Sequence, residues 1–590
     1  MPIKELPIIN HYDAQRFKQF SPMSCSNWYQ VDAPSGKKGK ALYPAMGRKH
    51  FSDDFGNPEF VFDNQPRKLF RSVSYVYVVV ESTIYQIDIN FNIRPISDST
   101  FTKSAGDLNF AYLATTQVSG STTFATFCMW CDGSNIFVYD EATNAFSKVT
   151  DTNRPPAPLY VAAFGNRFVV SSRGSTQFQL TQFNLGSPYN ASTVFTINGQ
   201  AIFAQASGLI QQMCVLHQQL YIFTDYTTDV WSNTVSVFNT TTFPFKKNTS
   251  YDFDYGIADP DSLDVDFGMI TWLAQNRNGL VTFMSSNGQS PQSISTQAVN
   301  VLIQEIANAS QATATSVLSL DVEGFLYQYE DTVFYRVSVG AYNDTQTLDA
   351  DSLADCLEYN FNTQTWSRCI ELNGQRNIIQ QHVFFANVHM VTAQGQNCLY
   401  QMGGNIYFNE IQDPNNTITG FTAYPFRYEN ITPIISEPDY SEFITDYVEI
   451  DFVYGNQTPS YSSNPVFANT VFIVSEGSTD AAPIYVVTED GQNFVIQDGT
   501  NTPGLTDNIY NQLFNPHIEL YWSDDGGSTF YATSMDVLQF SQLGQYQWKM
   551  RWYQAGASRN RVYKLVAVSA APIVILGGCM SVRRASGGAN

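Results

Sequence analysis

Charge is scarce in this 590-residue chain, and it leans one way: 31 Lys and Arg stand against 53 Asp and Glu, a formal net charge of -22. Nonspecific nucleic-acid affinity comes from cations that neutralise phosphates, so the balance argues against a sequence-reading DNA-binding protein. Histidine is also rare. The six (His11, His50, His217, His382, His389 and His517) show no zincin spacing. His382 and His389 flank one strand-like run and are expected on its opposite faces. No G-x-S-x-G elbow and no phosphate-cradling G-x-x-x-x-G-K occurs, so no catalytic or cofactor-binding residue is assigned and no enzyme is expected.

The eight cysteines lack any framework spacing, which excludes a disulfide scaffold and reads as reduced thiols in a protein assembled in the cytosol. Cys128-Met-Trp-Cys131 is formally a C-x-x-C, but it sits in an apolar run rather than at a helix N-terminus, and no second pair completes a zinc site. The start, Met1-Pro-Ile-Lys-Glu-Leu-Pro7, lacks the order of a signal peptide. The run Ala570-Ala-Pro-Ile-Val-Ile-Leu576 falls far short of the roughly 20 residues that span a bilayer.

What the chain has is aromatic and β-branched residues broken by polar turns, a composition for pleated, half-buried surfaces. Val76–Val80 and Ile84–Ile87 around Glu81-Ser82 read as a hairpin, as do Leu159–Phe164 and Arg167–Val170 around Gly165-Asn166. Further hairpins read at 135–149, 220–231, 324–337 and 357–368, with one more strand at 398–402. Strand, polar turn, aromatic strand is the text of propeller blades, small sheets that cannot bury their faces without neighbours. An elongated series of β-sandwiches is the alternative arrangement. One helix is predicted at 295–306, capped by Ser295, with Val299, Leu302, Ile303 and Ile306 on one face.

After about residue 426 the strands lengthen, as in Asp446–Tyr454, and the polar stretch 459–507 reads as an insertion. Near the end, Leu520–Phe530 reads as a hairpin around Asp525-Gly-Gly527. A strand with Tyr546, Trp548, Met550 and Trp552 follows, then a turn at Gly556 and another strand. The expected fold is therefore all-β. Residues 1–70 form an arm with entry strands, 71–425 a β-propeller, and 426–590 a β-sandwich-like domain completed by the arm.

Four places in order along the chain resemble the podophage tail hub, or packaged-DNA stabilisation, family. They are Ser24–Tyr29 with Ala41–Phe51, Trp272–Gly279 with Pro291–Thr296, Thr432-Pro433 with Val448–Tyr454, and the ending just described. Met46 stands where the family has Pro, and Ser293 where it has Arg. The resemblance implies a structural virion protein of a short-tailed phage. It would form a ring of six copies below the portal and adaptor, carry the needle, spikes or fibres, and retain the packaged DNA. DNA would pass through the channel without sequence-specific binding, and an acidic wall would keep phosphate from sticking.

Interface candidates are Asn27, Trp28 and Tyr29 in the arm, and Lys549, Arg551, Arg559 and Arg561 in an ending whose last 42 residues contain no acidic residue. Asp259, Asp261, Asp264 and Asp266 alternate as hard-oxygen ligands for Ca²⁺ could, although they lack the Gly and terminal Glu of an EF-hand loop and an ordinary solvated acidic loop is the favoured reading. Ser523–Phe530 also fits the Asp-box pattern of sugar-processing propellers. This leaves two alternatives: a host-glycan-binding adhesin, and, more weakly, a sialidase-like hydrolase, for which no arginine cluster is spaced.

Overall fold

The computed structural model describes residues 3–584 apart from 19, 34–38, 52–59, 104–105, 116–124, 183–189, 198, 235–242, 250–251, 314–319, 342–353, 413–420, 456–483, 488–492, 497–516 and 538–545. With 59% strand and 3% helix, the fold is all-β, a propeller with a second β domain.

The hairpins arise from turn chemistry the sequence advertises. Val76–Val80 pairs with Thr83–Ile87 across Glu81-Ser82, and Pro158–Phe164 pairs with Arg167–Ser172 across Gly165-Asn166. Gly165 and Asn166 take φ of 59° and 57°, the double left-handed geometry that matches a two-residue turn to strand twist. Five four- or five-stranded meanders built this way are separate sheets, at 66–95, 109–148, 158–205, 210–247 and 256–293. A sixth meander, 320–368, and a seventh, 379–403, join a larger sheet network through strands from elsewhere.

Apolar clusters lie between successive meanders. Tyr77 and Val79 meet Trp130 and Phe137, Phe127 meets Phe168, and Phe178 meets Trp231. Phe223 meets Trp272, Phe283 meets Tyr335, and Tyr327 meets Tyr400. Met390 and Leu399 of the seventh meander then meet Leu69 and Val78 of the first. The series closes on itself as a ring of seven blades, which is how blades that bury only one face at a time become stable.

The seventh blade takes its outer strand from the start of the chain. Gly47–His50 pairs antiparallel with Tyr400–Gly403, so two distant segments close the ring. Gly47 is required there, because a Cβ would lie 2.4 Å from the Phe408 carbonyl oxygen and 2.5 Å from that of Ile406. Arg48 is fully buried beside it, donating to Glu371 Oε1 at 2.6 Å and to the Glu410 carbonyl at 3.1 Å. His50 accompanies it, 2.5 Å from Glu410 Oε2.

The second domain is two sheets face to face. In one, Phe443–Tyr454 lies between Tyr546–Ser558 and Ile573–Arg584. Ile573–Arg584 also pairs with Ile3–Leu6 and, through Ile575, with Gly39–Pro44, which continues to Trp28–Ala33. In the other, Phe421–Ile431 lies between Pro22–Ser26 and Asn560–Ser569, and the latter pairs with His517–Ser523. Trp28, Phe426, Phe452, Trp552, Leu565 and Ile575 share the core between them.

Several local expectations are corrected. The helix runs Gln297–Thr313, two residues later than expected, with the Thr296 carbonyl accepting from Asn300 N and Thr296 Oγ1 from Val299 N; Ser295 Oγ instead accepts from Phe283 N at 2.8 Å. Its Val299, Ile303 and Ile306 pack between the fifth and sixth blades. Gly556, at φ 77°, is a bulge inside one long strand, where the register slips between Thr445/Gly556 and Tyr447/Tyr553. The break comes at Arg559, and the strand beyond it joins the opposite sheet. Of the 459–507 insertion only the hairpin Ile484–Val487 with Asn493–Ile496 falls within the described residues.

Candidate functional site

The axis of the propeller is where chemistry-bearing side chains collect. Lys68, on the inner strand Pro66–Arg71 of the first blade, reaches Asp261 of the fifth at 2.7 Å. The first and fifth blades are not neighbours in the ring, so this ion pair crosses the centre. Burial works against the Lys68 charge, yet Asp261 and Glu323 outweigh it and hold the ammonium above its ordinary range. Burial pushes Glu323 up to about 7 against the pull of Lys68, and one Glu323 oxygen is buried without a hydrogen-bond partner. Burial also raises Asp264 to about 6, and burial with the neighbouring Asp261 raises Asp259. One ion pair, Lys68 with Asp261, thus spans the axis, with the carboxyl groups of Asp259, Asp264 and Glu323 around it.

Those partners account for the aspartates considered as Ca²⁺ ligands. Asp259 caps a short 3-10 turn, accepting from Asp261 N at 2.9 Å and Val322 N at 3.3 Å. Asp264 accepts from Leu326 N at 2.6 Å and Val265 N at 2.8 Å, and Asp266 from Phe267 N at 2.8 Å. Among the described residues no three metal-ligating side chains converge.

The arm residues are not at a surface. Asn27, at φ 57°, is buried, accepts from Ile370 N at 3.0 Å and donates to the carbonyls of Ile370 at 2.7 Å and Arg427 at 2.9 Å. Trp28 is fully buried, donates to the Ile573 carbonyl at 2.8 Å and stacks on Tyr428 at 4.9 Å. Tyr29 packs edge-on against Phe334 at 5.0 Å. The three fasten the two domains internally, which removes them as contacts for a partner. Arg561 is corrected likewise: it is fully buried, pairs with Asp524 at 2.7 Å and lies over Trp522 at 4.6 Å.

Lys549, Arg551 and Arg559 are exposed, as an interface requires. Lys549 and Arg551 share Glu449, at 3.2 Å and 3.0 Å, and Arg551 covers Tyr447 at 4.4 Å. Tyr553 stands 62% exposed beside them, and Trp548 42%, on the same strand. Composition did not single out these aromatics, because exposure is not written in an alternating strand until its partner sheet is known.

His382 and His389 lie together, with Nε2 and Nδ1 2.9 Å apart, contrary to the expectation of opposite faces. They occupy two strands folded back on one another, and register across the hairpin, not parity along one strand, places them on one face. Burial, with His389 next, keeps His382 well below its ordinary value. The Asp-box segment is a turn: Asp525 accepts from Ser528 N and Thr529 N, each at 2.9 Å, and from Thr529 Oγ1 at 2.6 Å. Cys128 and Cys131 are fully buried strand residues. A cleft of about 540 Å³ in the second domain is lined by Lys4, Leu6, Ile9, Lys40, Ile435 and Met580 among others, none of them aromatic.

Residues 72–339, under half of the chain, match the family model described as Bacteriophage P22 Gp10, beta-propeller, a phage stabilisation family. The match begins in the first blade and ends in the second strand of the sixth. This segment is similar to that phage family. The family is one of structural phage proteins, and it carries a propeller concerned with stabilising packaged DNA. Of the four resembling places, only Trp272–Thr296 lies inside the matched segment. A search of curated proteins returns no match. Solved structures with some likeness include the N-terminal domain of Nup159 (10% identity, covering 61% of this chain and 95% of that one, TM-score 0.32). Others are hydrazine synthase of Kuenenia stuttgartiensis (8%, 46% and 71%, 0.26) and Hsv2 of Kluyveromyces lactis (11%, 59% and 97%, 0.27). At such TM-scores they carry no argument.

Proposed function

We propose that this protein is a structural component of a short-tailed phage virion, an oligomeric tail hub or nozzle that attaches below the portal and adaptor. In this reading it retains packaged DNA, forms part of the ejection channel and bears the needle, spike or fibre proteins. The match of residues 72–339 to the phage stabilisation family carries the reading. The ion pair across the propeller axis supports its oligomeric part. Lys68 and Asp261 bond across the centre, so DNA would run between copies arranged in a ring, for which the resemblance suggests six. A net charge of -22 suits a wall past which phosphate must slide.

The test is the mass of the purified protein in solution, alone and mixed with the adaptor of its virion. A monomer that becomes a ring of fixed stoichiometry on the adaptor is the expected result. A protein that ignores the adaptor and binds host glycan instead would overturn the reading.

A further inference from the structure

The motif C-x-x-C at Cys128 drew attention in the sequence, but the structure brings together two other cysteines. Cys356 opens the strand Asp355–Asn360 of the sixth blade, and Cys369 directly follows its antiparallel neighbour Thr365–Arg368. The ladder pairs Leu357 with Arg368, and Cys369 N donates to the Cys356 carbonyl at 2.8 Å, so the two cysteines face each other across the strands. The Cys369 thiol also lies 3.9 Å from Glu358 Oε2, the carboxylate that pairs with Arg336. Opposed antiparallel residues of a hydrogen-bonded pair have Cα atoms about 5.5 Å apart, inside the range a disulfide spans.

The surroundings are also unlike those of the other buried thiols. Arg336, fully buried, is paired with Glu358 at 2.6 Å and stands close to both sulfurs. The Cys369 thiol, then Arg336 and Ser338, hold Cys356 below its ordinary range, while Cys369 is pushed up by Cys356 and by burial. By contrast, burial and a neighbouring carboxylate push Cys128 and Cys131 upward.

We propose that Cys356 and Cys369 form a redox site in which a peroxide converts the facing thiols to a cross-strand disulfide. The Cys356 thiolate attacks one peroxide oxygen. The O–O bond breaks, the departing hydroxide takes a proton and leaves as water, and Cys356 becomes a sulfenic acid. The Cys369 sulfur then attacks the Cys356 sulfur, and the sulfenic hydroxyl leaves as a second water with the Cys369 proton. Two thiols are oxidised and one peroxide is reduced. Peroxide is little larger than water, which suits a site with both cysteines buried. The bond would tie the outer strand of the sixth blade at the point where Asn27 N donates to the Arg368 carbonyl at 2.8 Å, the seam between the domains.

The full-length protein is treated with hydrogen peroxide, and unreacted thiols are blocked before digestion with trypsin. Arg368 lies between the two cysteines, so cleavage there separates them unless a disulfide joins the peptides ending at Arg368 and Arg376. The expected result is that linked pair, formed faster than Cys128 or Cys131 is oxidised, because the more acidic thiol holds more thiolate. In Cys369→Ser, Cys356 should stop at the sulfenic acid and be trapped by dimedone. In Cys356→Ser, Cys369 should give no adduct. Oxidation of Cys356 no faster than of Cys128 in the folded protein, with no linked peptide, overturns the proposal; circular dichroism confirms that each variant is folded.

Discussion

The two domains are built from the same kind of strand but by opposite routes through the chain. Most blades are contiguous segments: the first spans 66–95, and its strands meet across turns of a few residues. The sandwich is assembled from the chain's two ends. Ile3 pairs with Ser581, Trp28 donates to the carbonyl of Ile573, and Asn10 and Asn430 exchange side-chain hydrogen bonds. Closing loops of hundreds of residues costs entropy that local hairpins avoid, so the propeller is the unit that can order early and the sandwich the one that must wait.

The sharpest way to break this contrast is Trp28→Ala. It removes a fully buried indole from the sandwich core and should cost about 3–5 kcal/mol. Hydrogen exchange should show lost protection in Phe443–Tyr454 and Ile573–Arg584 while Val76–Ile87 keeps its own. Equal loss in both places would mean the domains unfold as one unit.

Arg48→Met tests the join. It leaves Glu371 buried without its cation, and about 3 kcal/mol is expected from removing one side of such a pair. Because Gly47–His50 closes the ring and pairs with Phe408–Gln412, which pairs in turn with the sandwich strand Phe421–Ile431, denaturant midpoints of both domains should fall. An effect confined to the sandwich would show that the ring closes well enough without this strand.

Acidity should separate the domains more gently. Folded Glu323 keeps its proton up to about 7, whereas unfolded it would lose it near 4.5; folded Asp264 keeps its proton to about 6 against 3.8. Between those values the folded chain binds more protons, so propeller stability falls as pH rises from about 4 to 7 and levels off above. Glu323→Gln should flatten the upper part of that slope in thermal melts, and a slope unchanged by the substitution would place its origin elsewhere.

The smallest effect on folding is expected for Arg551→Ala, since exposed ion pairs contribute little. Its denaturation midpoint should match the parent. If the exposed strand bearing Arg551, Tyr553 and Trp548 contacts a neighbour in the ring, assembly on the adaptor should weaken nonetheless, as read by sedimentation.

Legibility in the sequence followed the same divide. Gly165-Asn166 and Glu81-Ser82 announce their hairpins because turn geometry is local. Trp28 and Arg561 misled, because an aromatic or a cation in a strand has the same letter whether it faces solvent or is packed inside, Trp28 against Ile573 at the far end of the chain and Arg561 against Asp524. His382 and His389 misled for a related reason: face parity holds within one strand, and they sit on two.

By itself, the sequence determined an all-β chain and the hairpins of the blades, both consequences of short-range turn and strand chemistry. Only the tertiary structure decided that seven blades close through Gly47–His50 and that Lys68 and Asp261 pair across the axis. Each of these depends on which distant segments share a register, and register across long loops is set by packing of the whole core rather than by any local pattern.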